Sequence, residues 1–391
     1  MRAQAGGEGG GPCLDDAGLY VGRVWREGVG PSVVAVRGGR MHDITGPAAP
    51  TLSALLEADD IPGAVAAAEC EDIGSADDLA GASVEPSDPD ATRLLAPCDL
   101  QAVKACGVTF ARSMIERVIE ERAAGDPARA AAIRARIADT IGASLRDLVP
   151  GSGAAARVAE MLKAEGLWSP YLEVGIGPDA EVFTKCPPMA AVGWGAAVGL
   201  HPVSRWNNPE PEVVLAVDSR GRIRGATLGN DVNLRDVEGR SALLLGKAKD
   251  NNASAAIGPF IRVFDDTFTL DDVRRADLTL TVEGEDGFRL TGRSSMSEIS
   301  RDPADLVAQA RGRHHQYPDG FMLYLGTMFA PVQDRDGAGQ GFTHHLGDIV
   351  TIEAPGLGRL VNTVRLSTEA PEWTFGAGAL MRNLARRGLL E

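Results

Sequence analysis

The chain has 391 residues, an ordinary apolar fraction of 44% and a formal net charge of -15 at pH 7. This length allows two domains, or one large domain with a small attachment, and no apolar run approaches the length of a membrane span. The acidic balance, without Lys/Arg clusters interleaved with aromatic residues, argues against nucleic acid as a partner.

The first 17 residues are predicted to be a flexible tail. Residues 1–12 are rich in Gly and Ala and contain no apolar core of the kind that a signal peptide requires. The five cysteines are scattered, odd in number and without metal-binding spacing. This pattern is typical of reduced thiols, so we expect a cytoplasmic protein.

Residues 18–95 are predicted to form a small N-terminal α/β domain. Short strands are expected over about 18–44, with a hairpin turn from Arg37 to Arg40. Leu and Ala at helical spacing predict a helix over about 51–68. Residues 71–98 are rich in Asp, Ser, Gly and Pro, which predicts a linker to the rest of the chain.

Residues 96–391 are predicted to form the larger, catalytic domain. Its first part, about 110–165, has a helical composition and is expected to form a lid. After Trp168, two-residue alternation between Gly, Pro and Asp turns predicts a β-rich core, with one further helix from Pro303 to Arg311 capped by Asp302. The predicted fold class is therefore α+β, rich in β-structure.

Three carboxylates flank a predicted β-hairpin in this domain. Glu210 and Glu212 lead into the first strand and project to the same face, because side chains alternate along a strand. If the turn centres on Ser219 and Arg220, Glu212 lies opposite Thr227 and Asp231 emerges just beyond Glu210. One hard cation could then bridge the three carboxylates. All-oxygen ligands suit Mg²⁺, Mn²⁺ or Ca²⁺ rather than zinc.

Several short motifs follow one another between about residues 95 and 364. They are Phe183-Thr184-Lys185, Pro209-Glu210-Pro211-Glu212, Gly229 to Asp236, Gly246-Lys247, Gly258-Pro259-Phe260, Leu325-Gly326-Thr327, and Leu346-Gly347-Asp348 with Gly356-Leu357-Gly358. In this order they resemble the fumarylacetoacetate hydrolase family. The resemblance implies a mixed β-sandwich roll that forms homodimers or homotetramers, with a divalent cation, usually Mg²⁺, at its mouth. It matches Glu210, Glu212 and Asp231 to the family's metal ligands.

One segment departs from the pattern of the family's hydrolases. These carry Asn-Tyr-x-x-His-x-x-Glu, whose His and Glu activate water for carbon–carbon cleavage. The matching segment here, Thr109 to Glu116, keeps the glutamate as Glu116 but has Ser113 in place of the histidine. An unaided serine is not a base near neutral pH. This segment and residues 246–252 resemble the family's sugar-acid branch, the 2-keto-3-deoxy-pentonate dehydratases.

The resemblance therefore implies a hydro-lyase that acts on a small 2-keto acid. Its substrate would be a 2-keto-3-deoxy-pentonate such as 2-keto-3-deoxy-D-xylonate. Removal of a C3 proton gives a metal-stabilised enolate, the C4 hydroxyl leaves, and the product is 2-oxoglutarate semialdehyde. The alternatives are an acylpyruvate or diketo-acid C–C hydrolase and a 2-oxo acid isomerase or decarboxylase. A hydrolase would need a substitute base, such as a histidine from 344–345.

Four further residues are candidates for the chemistry. Glu116 is the candidate acid/base, acting from the lid, and an ammonium at Lys247 could stabilise the enolate or hold the substrate carboxylate. Thr327 could donate a hydrogen bond to that carboxylate, and Lys185 could bind an anion or pair with a ligand carboxylate. The alternative for each is structural: a solvated helix face, a surface lysine, a turn cap and a salt bridge.

Overall fold

Two β-sheets form the framework of the protein. The computed structural model describes residues 10–86, 88–134, 145 and 148–390. In chain order the strands are β1 (Tyr20–Arg26), β2 (Gly30–Arg37), β3 (Arg40–Asp43), β4 (Glu71–Ser75), β5 (Arg93–Leu95), β6 (Ala102–Cys106), β7 (Val182–Cys186), β8 (Ala197–Leu200), β9 (Pro211–Val217), β10 (Ile223–Asp231), β11 (Ala255–Val263), β12 (Asp277–Glu283), β13 (Arg289–Ser295), β14 (Phe321–Tyr324), β15 (Ile349–Ala354) and β16 (Gly358–Leu366).

Short helices connect and cover these strands. They are α1 (Leu52–Leu56), α2 (Ile61–Ala67), α3 (Ala76–Ala82), α4 (Ala111–Ala123), α5 (Gly153–Ala164), α6 (Pro170–Ile176), α7 (Arg235–Glu238), α8 (Leu245–Lys249), α9 (Leu270–Val273), α10 (Pro303–Ala310) and α11 (Ala377–Arg386), with 3₁₀ turns at Ala242–Leu244 and Met296–Glu298. Asp302 caps α10, as predicted, by accepting from the N–H of Ala304. Among the described residues, no helix is long and apolar enough to cross a bilayer.

The larger sheet has the strand order β4-β3-β2-β1-β11-β10-β9-β14-β6-β7, with β5 also paired to β1. The smaller sheet has the order β13-β12-β15-β16-β8. Strand β9 is buried on both faces, which explains its unbroken apolar run. Leu215 belongs to the same core cluster as Leu280 and Ile352 of the smaller sheet, whereas Val214 belongs to a second cluster that contains Leu52. The predicted mixed α+β fold is confirmed.

The N-terminal strands continue the larger sheet, because Tyr20 and Val21 of β1 pair with Arg262 and Ile261 of β11. The linker predicted for residues 71–98 is wrong in part. It contains β4, which pairs with β3, the helix α3 capped by Ser75, and β5. Its polar residues are turn and capping residues within ordered structure, and composition alone does not distinguish these from a linker.

The described part of the predicted lid packs through its own apolar cluster. Helix α4 contributes Met114 and Val118, which pack with Leu162 of α5 and with Leu172 and Ile176 of α6. Residues 135–144 and 146–147, which belong to the same predicted segment, lie outside the described residues. The cluster joins α4 to α5 and α6, and Arg117 of α4 contacts Glu210, one of the candidate carboxylates.

Candidate metal centre and active-site cavity

The three candidate metal ligands come together at one end of the β9–β10 hairpin. One carboxylate oxygen from each of Glu210, Glu212 and Asp231 lies within 4.8 Å of the other two, and all three residues are at most 1% exposed. Glu210 immediately precedes β9, Glu212 lies in it, and Asp231 ends β10. Three buried carboxylates in this arrangement offer only hard oxygen donors, which fit a divalent cation such as Mg²⁺, Mn²⁺ or Ca²⁺.

The register that creates this cluster differs from the predicted one by two residues. Glu212 pairs with Gly229 rather than Thr227, and the N–H of Asp231 donates to the carbonyl of Glu210 at 3.0 Å. One residue of the shift comes from the turn, which runs from Asp218 to Arg222. The other comes from a β-bulge between Ile223 and Gly225. The shift brings Asp231 directly opposite Glu210.

Glu212 is held by the turn that follows β14. Gly326 donates its N–H to Glu212 Oε2 at 2.7 Å, and Thr327 Oγ1 donates to Oε1 at 3.2 Å. Gly326 has a φ of +103°, and a Cβ there would lie 2.5 Å from the carbonyl oxygen of Gly107, so a larger residue does not fit. Burial, with Asp231 and Glu210 nearby, raises the pKa of Glu212 well above its usual range.

Two buried lysines hold Asp231. Lys185 Nζ lies 2.8 Å from Asp231 Oδ1, and Lys249 Nζ lies 3.1 Å from Oδ2 and also contacts Glu210. Burial opposes ionisation of Asp231, but the two lysines outweigh it and lower its pKa. Of the two roles considered for Lys185, the structure therefore shows pairing with a candidate ligand. Lys185 is completely buried, which leaves it no access to a substrate anion.

Lys249, and not the predicted Lys247, lies in the cluster. Lys247 is exposed, and its Nζ lies 3.4 Å from His201 Nε2. Both lysines are on α8, and two residues correspond to about 200° around a helix, so the two side chains point in opposite directions. The neighbouring carboxylates Asp231, Glu210 and Glu238 outweigh the effect of burial and raise the pKa of Lys249, which therefore stays charged.

Arg117 connects α4 of the lid to the metal centre. Its guanidinium is 2.6 Å from Glu120 Oε2, 3.2 Å from Glu238 Oε2, and also contacts Glu210. Arg235 of α7 donates to the other oxygen of Glu120 at 2.6 Å. These buried ion pairs place the lid, the metal ligands and α7 in one network, which the sequence analysis did not identify.

Glu116 lines the cavity, but two arginines hold its carboxylate. Arg134 donates to its two oxygens at 2.9 and 2.6 Å, and Arg235 Nη2 donates to Oε2 at 3.3 Å. Ser113, at the position of the family's histidine, donates its hydroxyl to the carbonyl of Phe110 at 2.9 Å. Arginines therefore hold the carboxylate of Glu116, and the hydroxyl of Ser113 is bound to the backbone.

A cavity opens beside the cluster, and Glu210 and Asp231 form part of its wall. The described residues that line it are Cys106, Gly107, Val108, Ser113, Glu116, Arg117, Glu120, Tyr171, Glu181, Phe183, Glu210, Asp231, Glu238, Lys249, Thr327 and Ala330. No histidine is among them. His344, the possible substitute base, is buried elsewhere, with Nδ1 3.2 Å from Asp348.

Two glutamates of this wall were missed by the sequence analysis. Burial raises the pKa of Glu181, and no described residue donates a hydrogen bond to its carboxylate. Burial also raises the pKa of Glu238, to about 7. Both lie beside segments already noted in the sequence: Glu181 is two residues before Phe183-Thr184-Lys185, and Glu238 is two residues after the segment that ends at Asp236.

Residues 204–365 match the family described as fumarylacetoacetate (FAA) hydrolase, C-terminal. Over 215 residues the chain is 31% identical to a probable 2-keto-3-deoxyxylonate dehydratase of Haloferax volcanii, a match that covers 54% of this chain and 70% of that protein. The chain belongs to the fumarylacetoacetate hydrolase family. This confirms the resemblance found in the sequence.

Two further comparisons point to similar proteins. A 2-dehydro-3-deoxy-D-arabinonate dehydratase of Saccharolobus solfataricus is 30% identical over 188 residues, which are 47% of this chain and 58% of that protein. A solved structure of 2-keto-3-deoxy-D-arabinonate dehydratase, complexed with magnesium and 2,5-dioxopentanoate, superposes with a TM-score of 0.59. The latter match covers 89% of this chain and 98% of that structure at 21% identity, which supports the fold alone.

Proposed function

We propose that this chain is a Mg²⁺-dependent dehydratase that converts a 2-keto-3-deoxy-pentonate, such as 2-keto-3-deoxy-D-xylonate, to 2-oxoglutarate semialdehyde. Two relatives carry the names of such dehydratases, and the similar solved structure holds magnesium and 2,5-dioxopentanoate, the same semialdehyde. The observation that carries the proposal is the buried trio Glu210, Glu212 and Asp231, of which Glu210 and Asp231 line a cavity with further acidic side chains and no histidine among its described lining residues.

The three carboxylates would hold the cation at the inner end of the cavity. A bound divalent cation would chelate the carboxylate and keto oxygens of a 2-keto acid and make its C3 protons more acidic. Lys249 keeps its charge beside Glu210 and Asp231, so it cannot act as a base. Its ammonium instead stabilises the negative charge that develops on the substrate as the C3 proton leaves.

Glu181 is the group that we assign to proton transfer. Its carboxylate receives no hydrogen bond within the described part of the chain, and burial raises its pKa, which makes the carboxylate a stronger base. Glu181 takes the proton from C3 and returns it to the C4 hydroxyl, which leaves as water. A proton then moves from C5 to C3, and the resulting C4–C5 enol tautomerises to the aldehyde. Hydrolysis would need an activated water, whereas this reaction releases one.

Glu116, the acid/base predicted from the sequence, is the rival to Glu181. Its three hydrogen bonds from arginines favour a role in orienting Arg235 over proton transfer. The pair Glu181→Gln and Glu116→Gln separates the two assignments, because both substitutions keep shape and remove charge. We expect Glu181→Gln to lower kcat by about 100-fold or more, the usual contribution of a general acid/base, and Glu116→Gln to lower it far less. The reverse order would restore Glu116 as the acid/base.

The proposed reaction is tested by supplying the substrate directly. The protein is incubated with Mg²⁺ and either 2-keto-3-deoxy-D-xylonate or 2-keto-3-deoxy-D-arabinonate, and the aldehyde is followed with a coupled aldehyde dehydrogenase. Activity should disappear in EDTA and return with added Mg²⁺. Turnover of an acylpyruvate without turnover of either sugar acid would overturn the proposal in favour of the hydrolase.

We also propose, from family membership, that the chain forms a homodimer or a homotetramer. Light scattering during size-exclusion chromatography gives the mass directly. A mass equal to that of one chain at micromolar concentration would contradict this part of the proposal.

A further inference from the structure

The cavity wall carries more negative charge than the metal centre requires. Among the described lining residues, six are carboxylates and two, Arg117 and Lys249, are cations. Glu210 and Asp231 belong to the metal centre. Arg134 and Arg235 neutralise Glu116 and Glu120 from outside the cavity lining. Glu181 forms no ion pair within the described part of the chain, and Glu238 shares Arg117 and Lys249 with other carboxylates.

Glu238 has an unsatisfied oxygen within this wall. The residue is 5% exposed, and its Oε2 accepts no hydrogen bond within the described part of the chain. Arg117 Nη1 lies 3.2 Å away and Lys249 Nζ 3.9 Å away, but both cations make their closest contacts with other carboxylates. A buried carboxylate oxygen without a donor is costly, so a ligand that brings a donor is favoured there.

We propose that Glu238 selects the tail of the substrate: it accepts a hydrogen bond from a hydroxyl on the carbon chain and excludes a second carboxylate. This inference rests on the proposed function, because it assumes that a 2-oxo acid occupies the cavity with its head at the metal centre. The site then takes a monocarboxylic 2-oxo acid with a hydroxylated, uncharged tail.

The chemistry of the two kinds of tail explains the selection. A hydroxyl satisfies Oε2 with a hydrogen bond, and a site built around such a bond discriminates strongly against analogues that lack the donor. A carboxylate brings only acceptors and adds a negative charge to a wall that has six carboxyl groups and two cations among its described lining residues. Dicarboxylic 2-oxo acids should therefore bind poorly, although they carry the same metal-chelating head.

Three five-carbon 2-oxo acids test the proposal, because they differ only in the tail. They are a 2-keto-3-deoxy-pentonate, 2-oxopentanoate and 2-oxoglutarate. Calorimetric titration of the Mg²⁺-loaded protein gives Kd for the two unreactive acids, and initial rates give kcat/KM for the first. We expect wild type to bind 2-oxopentanoate at least tenfold more tightly than 2-oxoglutarate, despite the additional carboxylate of the latter.

Glu238→Gln keeps the shape of the side chain and removes its charge. We expect the variant to bind 2-oxoglutarate at least tenfold more tightly relative to 2-oxopentanoate, and to lose about tenfold or more in kcat/KM for the pentonate. Glu238→Asp keeps the carboxylate but shortens the side chain, which moves the oxygen away from the substrate. This variant should still exclude 2-oxoglutarate but have a lower kcat/KM for the pentonate. The Asp variant also provides the test if the Gln variant does not fold.

The outcomes separate this inference from the proposed function. Unchanged ratios of Kd in Glu238→Gln would overturn the role of Glu238, even if the pentonate is dehydrated. The expected ratios without any dehydration would leave Glu238 as the tail selector and overturn the proposed reaction. Failure of wild type to bind any of the three acids would overturn both.

Discussion

Arg117 links the lid to the metal centre, and its removal should destabilise the fold strongly. Its side chain is 9% exposed and faces Glu120 at 2.6 Å, Glu238 at 3.2 Å and Glu210. In Arg117→Ala, Glu120 keeps Arg235 and Glu210 keeps Lys249, but Glu238 keeps only Lys249 at 3.9 Å. Removing one partner of a buried ion pair costs about 3–5 kcal/mol, so we expect a loss of that size in the free energy of unfolding.

Urea denaturation in excess EDTA, followed by tryptophan fluorescence, measures this loss without a contribution from bound metal. The matched control is Arg274→Ala, which removes exposed ion pairs with Asp271 at 2.6 Å and Asp302 at 2.7 Å. Exposed pairs contribute about 0–1 kcal/mol, so the control should remain close to wild type. An Arg117→Ala variant no less stable than Arg274→Ala would refute the view that this network holds the lid.

Three further predictions concern the metal centre and its neighbours. Glu212→Gln should keep the fold by circular dichroism but lose Mg²⁺ binding in calorimetric titration and all metal-dependent activity; full activity would show that the metal ligands are misassigned. Lys249→Met should lower kcat/KM by at least about 100-fold, the scale for losing a preorganised charge, whereas Lys247→Met should remain within about twofold of wild type; equal losses would contradict the assignment of Lys249. Burial raises the pKa of Glu238 from 4.5 to about 7. Between pH 4.5 and pH 7 the folded protein therefore holds a proton on Glu238 that the unfolded chain has released. Stability without metal should therefore fall as pH rises from 4.5 to 7, by about 3 kcal/mol from this group, and Glu238→Gln should lack that fall whereas the exposed control Glu369→Gln should keep it.

The hairpin and its carboxylates could be predicted because their signals are local. Alternation along β9 places Glu210 and Glu212 on one face whatever the fold around them. The exact register could not be predicted, because it depends on a five-residue turn and on a bulge at Arg224 that no local pattern indicates. The error of two residues left the facing side chains on the same side of the sheet, which is why the cluster was still found.

Lys249 shows a different kind of limit. Both lysines of α8 fit the sequence pattern, and the choice between them depends on which face of a short helix meets β10. That orientation is fixed by Ala248 in the core and by contacts of Lys249 with Glu210 and Asp231, residues 39 and 18 positions away. The helical period alone predicts that the two lysine side chains point in different directions. It does not predict which of the two points into the protein.

The sequence also could not predict which acidic residue is best placed to transfer a proton, because this too depends on contacts between distant residues. Whether a glutamate can carry a proton depends on which cations reach it, and these come from distant elements. Arg134 and Arg235 lie 18 and 119 residues from Glu116 in the sequence, and both donate hydrogen bonds to its carboxylate. Glu116 is therefore a weaker candidate for the base than its position in the cavity suggests. Glu181 lies in the same cavity without such hydrogen bonds, and burial, with Asp231 and Glu210 nearby, raises its pKa. In the proposed mechanism, a glutamate therefore orients an arginine at position 116 and transfers a proton at position 181, because the fold brings arginines to the first and not to the second.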